Sequence, residues 1–150
     1  MSWQTQLNGG ALSWLMDEGD SGIRYLAMRD LFDLPPDDKG LAAARVNAHQ
    51  MGHLLRRLGI EKQRLISVRC AARHLTYNYL QNGEALVRLG YGDDPRLANA
   101  INTIREKQDV DGRWVMEYDY TGKTWVDFGE KKQPNKWVTY RAAWVLINND

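Results

Sequence analysis

Apolar residues recur at helical spacing through most of this chain, and its four prolines all fall between those stripes rather than inside them. Proline lacks a backbone donor and clashes with the preceding turn, so confining it to boundaries leaves long helices uninterrupted. Pro35 and Pro36, Pro95, and Pro134 are those boundaries. Ser21 precedes Ile23, Leu26, Ala27, Leu31 and Leu34, which predicts a helix over 21–33. After Asp37, the residues Leu41, Ala44, Ala48, Met51, Leu55 and Leu58 fall within one arc at ~100° per residue, with Gly59 placed to end the helix.

A third helix is expected over 63–80, with Leu65, Val68, Ala72, Leu75 and Tyr79 on one face. Ile66, Cys70 and Tyr77 make its other face apolar as well, as in an inner helix covered on two sides. Asn82-Gly83 is expected to break or kink it before Ala85 to Leu89. Asp94-Pro95 opens a further helix with Leu97, Ala100, Ile101 and Ile104, ending near Gln108. Tyr118, Tyr120, Trp125 and Val126 surround Thr121-Gly122, which predicts a short hairpin or flap within 115–134. From Trp137 to Ile147 almost every residue is apolar, so the last helix should be largely buried.

The expected fold is therefore all-α, with 1–150 as one domain, 1–20 as an N-terminal segment and 115–134 as the flap. Basic residues number 20 against 19 acidic ones, so the excess of positive charge that phosphate backbones require is missing and nucleic acid is not expected as a partner. No apolar run approaches the ~20 residues of a membrane span. Met1 to Gly10 carries neither basic residues nor an apolar run, and Cys70 is the one cysteine, so a cytoplasmic, reducing location is expected.

A shift of 56 residues lays Asp37-Asp38 on Asp93-Asp94, Leu41 on Leu97, Ala42 on Ala98 and Ala44 on Ala100. Periods of this size belong to stacked helical repeats. The helix after Asp94 closes on Gln108-Asp109-Val110-Asp111-Gly112-Arg113-Trp114, which leads into an aromatic-rich connection. This segment resembles the QxxxGxW motif of squalene cyclases and related terpenoid cyclase and prenyltransferase proteins. In that family the glutamine, glycine and tryptophan clamp successive layers of an α/α toroid. A glutamine satisfies open helix-end groups, a glycine makes the turn and a tryptophan stacks over the end. The segments Ile23 to Leu31, Leu89 to Arg96 and Trp137 to Ala142 look like those of small bacterial relatives of the same family.

The resemblance implies a toroid-like arc of stacked helix pairs, with Gln108, Gly112 and Trp114 in a structural role. It does not extend to catalysis. The cyclase acid lies in a DxDD motif, where neighbouring carboxylates keep one proton bound at neutral pH. Here Asp109-Val110-Asp111-Gly112 ends in glycine. A DDxxD cluster for magnesium and diphosphate is missing too, because Asp37-Asp38 and Asp93-Asp94 are each followed by leucine where the last acid belongs. Both pairs read as helix caps. Each toroid repeat takes on the order of 40 to 50 residues, so the chain supplies only an arc, and either a homo-oligomer, a dimer that completes the ring, or a capped compact variant is expected.

His49 with His53, and Cys70 with His74, have zinc-ligand spacing on helices. Helical phase turns the two pairs away from the packed stripes and from each other, so no metal and no cofactor is expected. Arg69, Arg73, His74 and Tyr77, together with Tyr140, Arg141 and Trp144, are the candidate ligand-binding residues. Arginines would hold an anionic head while aromatic faces bury an apolar body. The competing reading of Arg69 and Arg73 is an ion-pair face against a neighbouring helix. Trp114, Trp125 and Trp137 flank the flap, either as a pocket mouth or as pins holding the loop to the core. The functional expectation is a non-catalytic or divergent relative of the toroid family that binds an apolar or anionic small molecule in an aromatic-lined concavity. The alternative is a helical-repeat module for protein interaction or self-association.

Overall fold

The computed structural model describes residues 7, 9–57, 75–117 and 129–149, with 51–57, 75–78 and 81 described by backbone alone. The helices in chain order are α1 (Ala11–Leu15), α2 (Ser21–Asp30), α3 (Lys39–Arg57), α4 (Leu75–Arg88), α5 (Ala98–Glu106) and α6 (Lys136–Ile147). A short 3-10 turn, Pro95–Leu97, leads into α5. Among the described residues the only β pairing is two isolated antiparallel bridges, Gln108 with Trp114 and Val115 with Pro134. The all-α expectation holds for these residues.

Carboxylates and amides start the helices as their chemistry dictates. Asp20 accepts from the Gly22 and Ile23 amides at 3.0 Å each and so begins α2 one residue before Ser21. Asp38 accepts from the Leu41 amide at 2.8 Å, and its counterpart in the sequence repeat, Asp94, accepts from the Arg96 amide at 2.9 Å. Both acidic pairs therefore supply caps, as expected. Asn135 caps α6 by accepting from Trp137 at 3.0 Å and Val138 at 3.1 Å. Helix α2 ends at Asp30, short of the predicted residue 33, and Asp33 takes a left-handed φ of 47° that a helix cannot include.

Helix α6 is the central element: α1, α2, α4 and α5 all pack on it, while α3 packs on α2. One of its sides joins Leu80, Val87, Ile101, Ile104 and Trp114 through Ala142, Val145 and Leu146. Its other side joins Leu15, Ile23, Ala27 and Leu31 through Tyr140 and Ala143. Burial on both sides explains why α6 reads as an almost unbroken apolar run. The N-terminal segment contains α1, whose Ala11 and Leu15 are buried.

The sequence reading of α4 needs two corrections. Tyr79, placed on the packed stripe, is 48% exposed, whereas Leu80 and Val87 are buried. Asn82-Gly83 does not break the helix, which runs through it from Leu75 to Arg88. A stripe drawn through large apolar side chains passes over glycine, yet Gly83 is buried and marks the packed face. A Cβ there would meet Ile104 Cδ1 of α5 at 3.6 Å and Val145 Cγ1 of α6 at 3.9 Å, ordinary contact distances. Gly83→Ala is accordingly expected to stabilise the fold by about 0.5–1 kcal/mol, because alanine costs less backbone entropy in a helix. Thermal unfolding of the variant checks the sign. The predicted helix residues 63–74 and the flap tip, including Tyr118, Tyr120 and Trp125, lie outside the described residues.

The glutamine-to-tryptophan corner closes α5 and hands the chain toward α6. Gly112 takes a φ of 77°, and the Gly112 amide donates to Asp109 O at 3.0 Å, so the glycine makes the turn as expected. Asp109 is spent inside it, accepting from the Asp111 amide at 3.0 Å and the Arg113 amide at 2.7 Å. The division of labour between the other two residues differs from expectation. Gln108 Nε2 donates to Gly112 O at 3.3 Å within the turn, and it is the Trp114 indole that donates to a helix-end carbonyl, Ile104 O, at 2.7 Å. The Trp114 amide donates to Thr139 Oγ1 of α6 at 2.9 Å. One residue thus ties α5 to α6 with both of its donors. Beyond it, the Met116 amide donates to Gln133 O at 2.9 Å and the Asn135 amide to Trp114 O at 2.9 Å, which lays the two ends of the 115–134 segment antiparallel.

Candidate functional site

The least buried face of α6 carries Trp137, Arg141 and Trp144, with Tyr140 at its edge. Four-residue spacing puts Tyr140 and Trp144 one turn apart, and α2 and α4 close in from opposite sides. From α2 comes Asp30, whose carboxylate accepts from the Tyr140 hydroxyl and from Arg29 Nη2, the latter at 2.7 Å. From α4 comes Glu84, which accepts from Arg141 Nε at 2.6 Å and from Arg88 Nε at 3.1 Å. The Arg88 guanidinium lies 4.1 Å from the centroid of the Trp144 ring, stacked on it. Arg29 similarly covers Tyr25, at 5.5 Å.

The electrostatics follow from these contacts. Burial opposes charge on Asp30, but hydrogen bonds from Arg29 and Tyr140 and the charges of Arg29 and Arg88 outweigh it, holding the carboxyl below its ordinary pKa. Burial first, and the neighbouring Asp30 second, push the Tyr140 phenol well above its ordinary value. Arg29 is raised by its bond to Asp30. A carboxylate whose pKa is depressed on folding adds stability above its unfolded pKa and loses that contribution as pH falls through the folded value. The melting-temperature gap between the wild type and Asp30→Asn is therefore expected to be steady above about pH 5 and to close below about pH 4. Tyr140 has the opposite sign. Its contribution is present below the unfolded tyrosine pKa and lost in strong alkali.

The structure brings Tyr140, Arg141 and Trp144 together on one face with acidic and basic partners. Arg141 lies in an ion pair with Glu84. Arg69, Arg73 and His74 lie outside the described residues, and Tyr77 is described by its backbone alone. Trp137 is partly buried and packs against the core cluster that contains Leu15, Ile23 and Ala27. Trp114 is 3% exposed and belongs to the core. His49 stands exposed on α3, while Cys70 and His74 fall outside the described residues and the His53 side chain is not described. Among the described residues no group of three or more metal-ligating side chains is placed to hold an ion. No described helix is long and apolar enough to cross a membrane.

Four residues of this face escaped sequence reasoning: Arg29, Asp30, Glu84 and Arg88. Glu84 and Arg88 carry a usable signal, an acid four residues before a base on one helix. Asp30 carries none, since its partner Tyr140 is 110 positions away in the chain. Chemically, the face sets Arg29, Arg88 and Arg141 around the carboxyl groups of Asp30 and Glu84, beside the rings of Tyr140 and Trp144. It can hold a negative group beside an apolar one, and its Asp30 carboxyl, held below its ordinary pKa, is not the raised acid that proton donation needs. No family model, no curated protein and no solved structure matches the chain.

Proposed function

We propose that this protein is a non-catalytic binding protein, a divergent relative of the α/α toroid family, which holds an anionic small molecule with an apolar body on the α2, α6 and α4 face. The observation that carries this reading is Arg88. Its guanidinium is stacked on Trp144 and braced by Glu84, while its side chain is 52% exposed. A planar cation with its orientation already set beside an indole plane is suited to an anionic head joined to a hydrocarbon. The depressed Asp30 carboxyl supports binding over acid catalysis, because a proton donor needs a raised pKa. In this reading the helix pairs form an arc, the protein is cytoplasmic and two copies complete the ring.

Octyl phosphate, titrated while tryptophan fluorescence is followed, tests the site. Arg88→Ala is expected to weaken binding by about tenfold or more, as loss of a charge-assisted contact does. Equal affinity in wild type and variant would overturn the assignment. A second reading, an interaction module, is favoured by Leu89 and Tyr91, which stand 70% and 53% exposed at the end of α4. If that reading holds, Leu89→Glu turns a dimer into a monomer by light scattering and leaves octyl phosphate binding intact.

A further inference from the structure

We propose a second ligand site, separate from the face above: the recess beside the glutamine-to-tryptophan corner takes a small neutral molecule with a hydrogen-bond-accepting oxygen, such as a short-chain ketone. The recess holds about 100 Å³ between α4, α5 and the start of α6. Leu80, Ile104, Trp114 and Val138 give it an apolar floor, and Thr103, Lys107 and Glu117 stand among its polar lining. An apolar cavity of about 150 Å³ accommodates benzene, so this one suits about four or five non-hydrogen atoms.

Water is a poor occupant of the floor. A buried water needs two to four polar partners. The nearest donors are already committed, Trp114 Nε1 to Ile104 O at 2.7 Å and the Thr103 hydroxyl to Asn99 O at 2.8 Å. The inner end of the ligand is therefore hydrocarbon. At the polar end Lys107 pairs with Glu117, and both side chains are 35% exposed. A lysine ammonium has three donors, so the pair leaves donors for an oxygen of the ligand. Lys107 and Glu117 neutralise one another, so a carboxylate or an ammonium head gains no net attraction from the pair and still loses its own hydration. A neutral acceptor avoids that cost, which selects a ketone over a carboxylate or an amine of the same length.

The test uses 2-butanone, butyrate and butylamine as probes at pH 7, followed through the Trp114 indole N–H in two-dimensional nitrogen-proton NMR spectra. The ketone is expected to give a saturable shift with a Kd of about 1–10 mM, a range set by its few atoms, and to bind about tenfold more tightly than either charged probe. Thr103→Phe fills the recess from its rim and should abolish the shift. Lys107→Met should weaken the ketone and remove the discrimination against butylamine, and it keeps the test decisive if the phenylalanine variant does not fold. No saturable shift, equal affinity for the three probes, or ketone binding unchanged in both variants would overturn the proposal. Neither variant touches Arg88, so failure here leaves the octyl phosphate result standing.

Discussion

Replacing Trp114 by alanine is expected to lower stability by about 3–5 kcal/mol, and in a chain of this size to lower Tm by on the order of 10 °C. The side chain is 3% exposed and packs in the cluster formed by α4, α5 and α6. Its removal empties a volume that three helices line. It also strips the donor from Ile104 O, one of the carbonyls that the end of α5 leaves open. Trp114→Phe separates the two effects. Phenylalanine refills most of the volume and leaves only the carbonyl unpaired, so a loss of about 1–2 kcal/mol is expected. Chemical denaturation of the two variants side by side measures the division. A loss below 1 kcal/mol for the alanine variant would remove the corner from its structural role.

Thr139→Val should rank second, at about 1–3 kcal/mol. The exchange keeps the shape of a side chain that is completely buried. What it removes is the oxygen accepting from the Trp114 amide at 2.9 Å, so a buried N–H loses its partner and no cavity is created. The cost comes from desolvating that amide, which no rearrangement of hydrocarbon repairs. Thr139→Ser keeps the oxygen and sacrifices one methyl group, so it should be the milder of the two. Equilibrium unfolding that places serine below valine would mean that packing, and not the hydrogen bond, holds this junction.

Residues near one another in the chain were legible because their interactions are local. The caps at Asp38 and Asp94 followed from a carboxylate placed just before an apolar stripe, and the turn at Gly112 followed from a motif in which only glycine accepts a left-handed φ. The heavy burial of α6 could be seen in its composition. Misreadings arose where packing partners come from elsewhere. Asn82-Gly83 has the composition of a break, but packing of this stretch of α4 against α5 and α6, with Gly83 buried, keeps the helix unbroken. Tyr79 has the right phase for one stripe and loses to Leu80 once α5 and α6 choose the face of α4.

The same distinction runs through the candidate face. Tyr140, Arg141 and Trp144 could be singled out as aromatic and cationic residues sharing a helix side. Asp30 could not, because nothing near it in the chain points to Tyr140, and the spacing of Glu84 to Arg88 does not point to Arg141. The ion pair of Arg141 with Glu84 and the stacking of Arg88 on Trp144 depend on the seating of α4 against α6.

Helix type, the capped helix starts and the glycine turn were set by the sequence itself, because capping, φ preference and apolar period act within a few residues. Which face each helix buries, which carbonyl the Trp114 indole reaches, and which acids neutralise the α6 arginines were decided by tertiary structure. These outcomes depend on distances between segments far apart in the chain, and burial and ion pairing take effect only after those segments have come together.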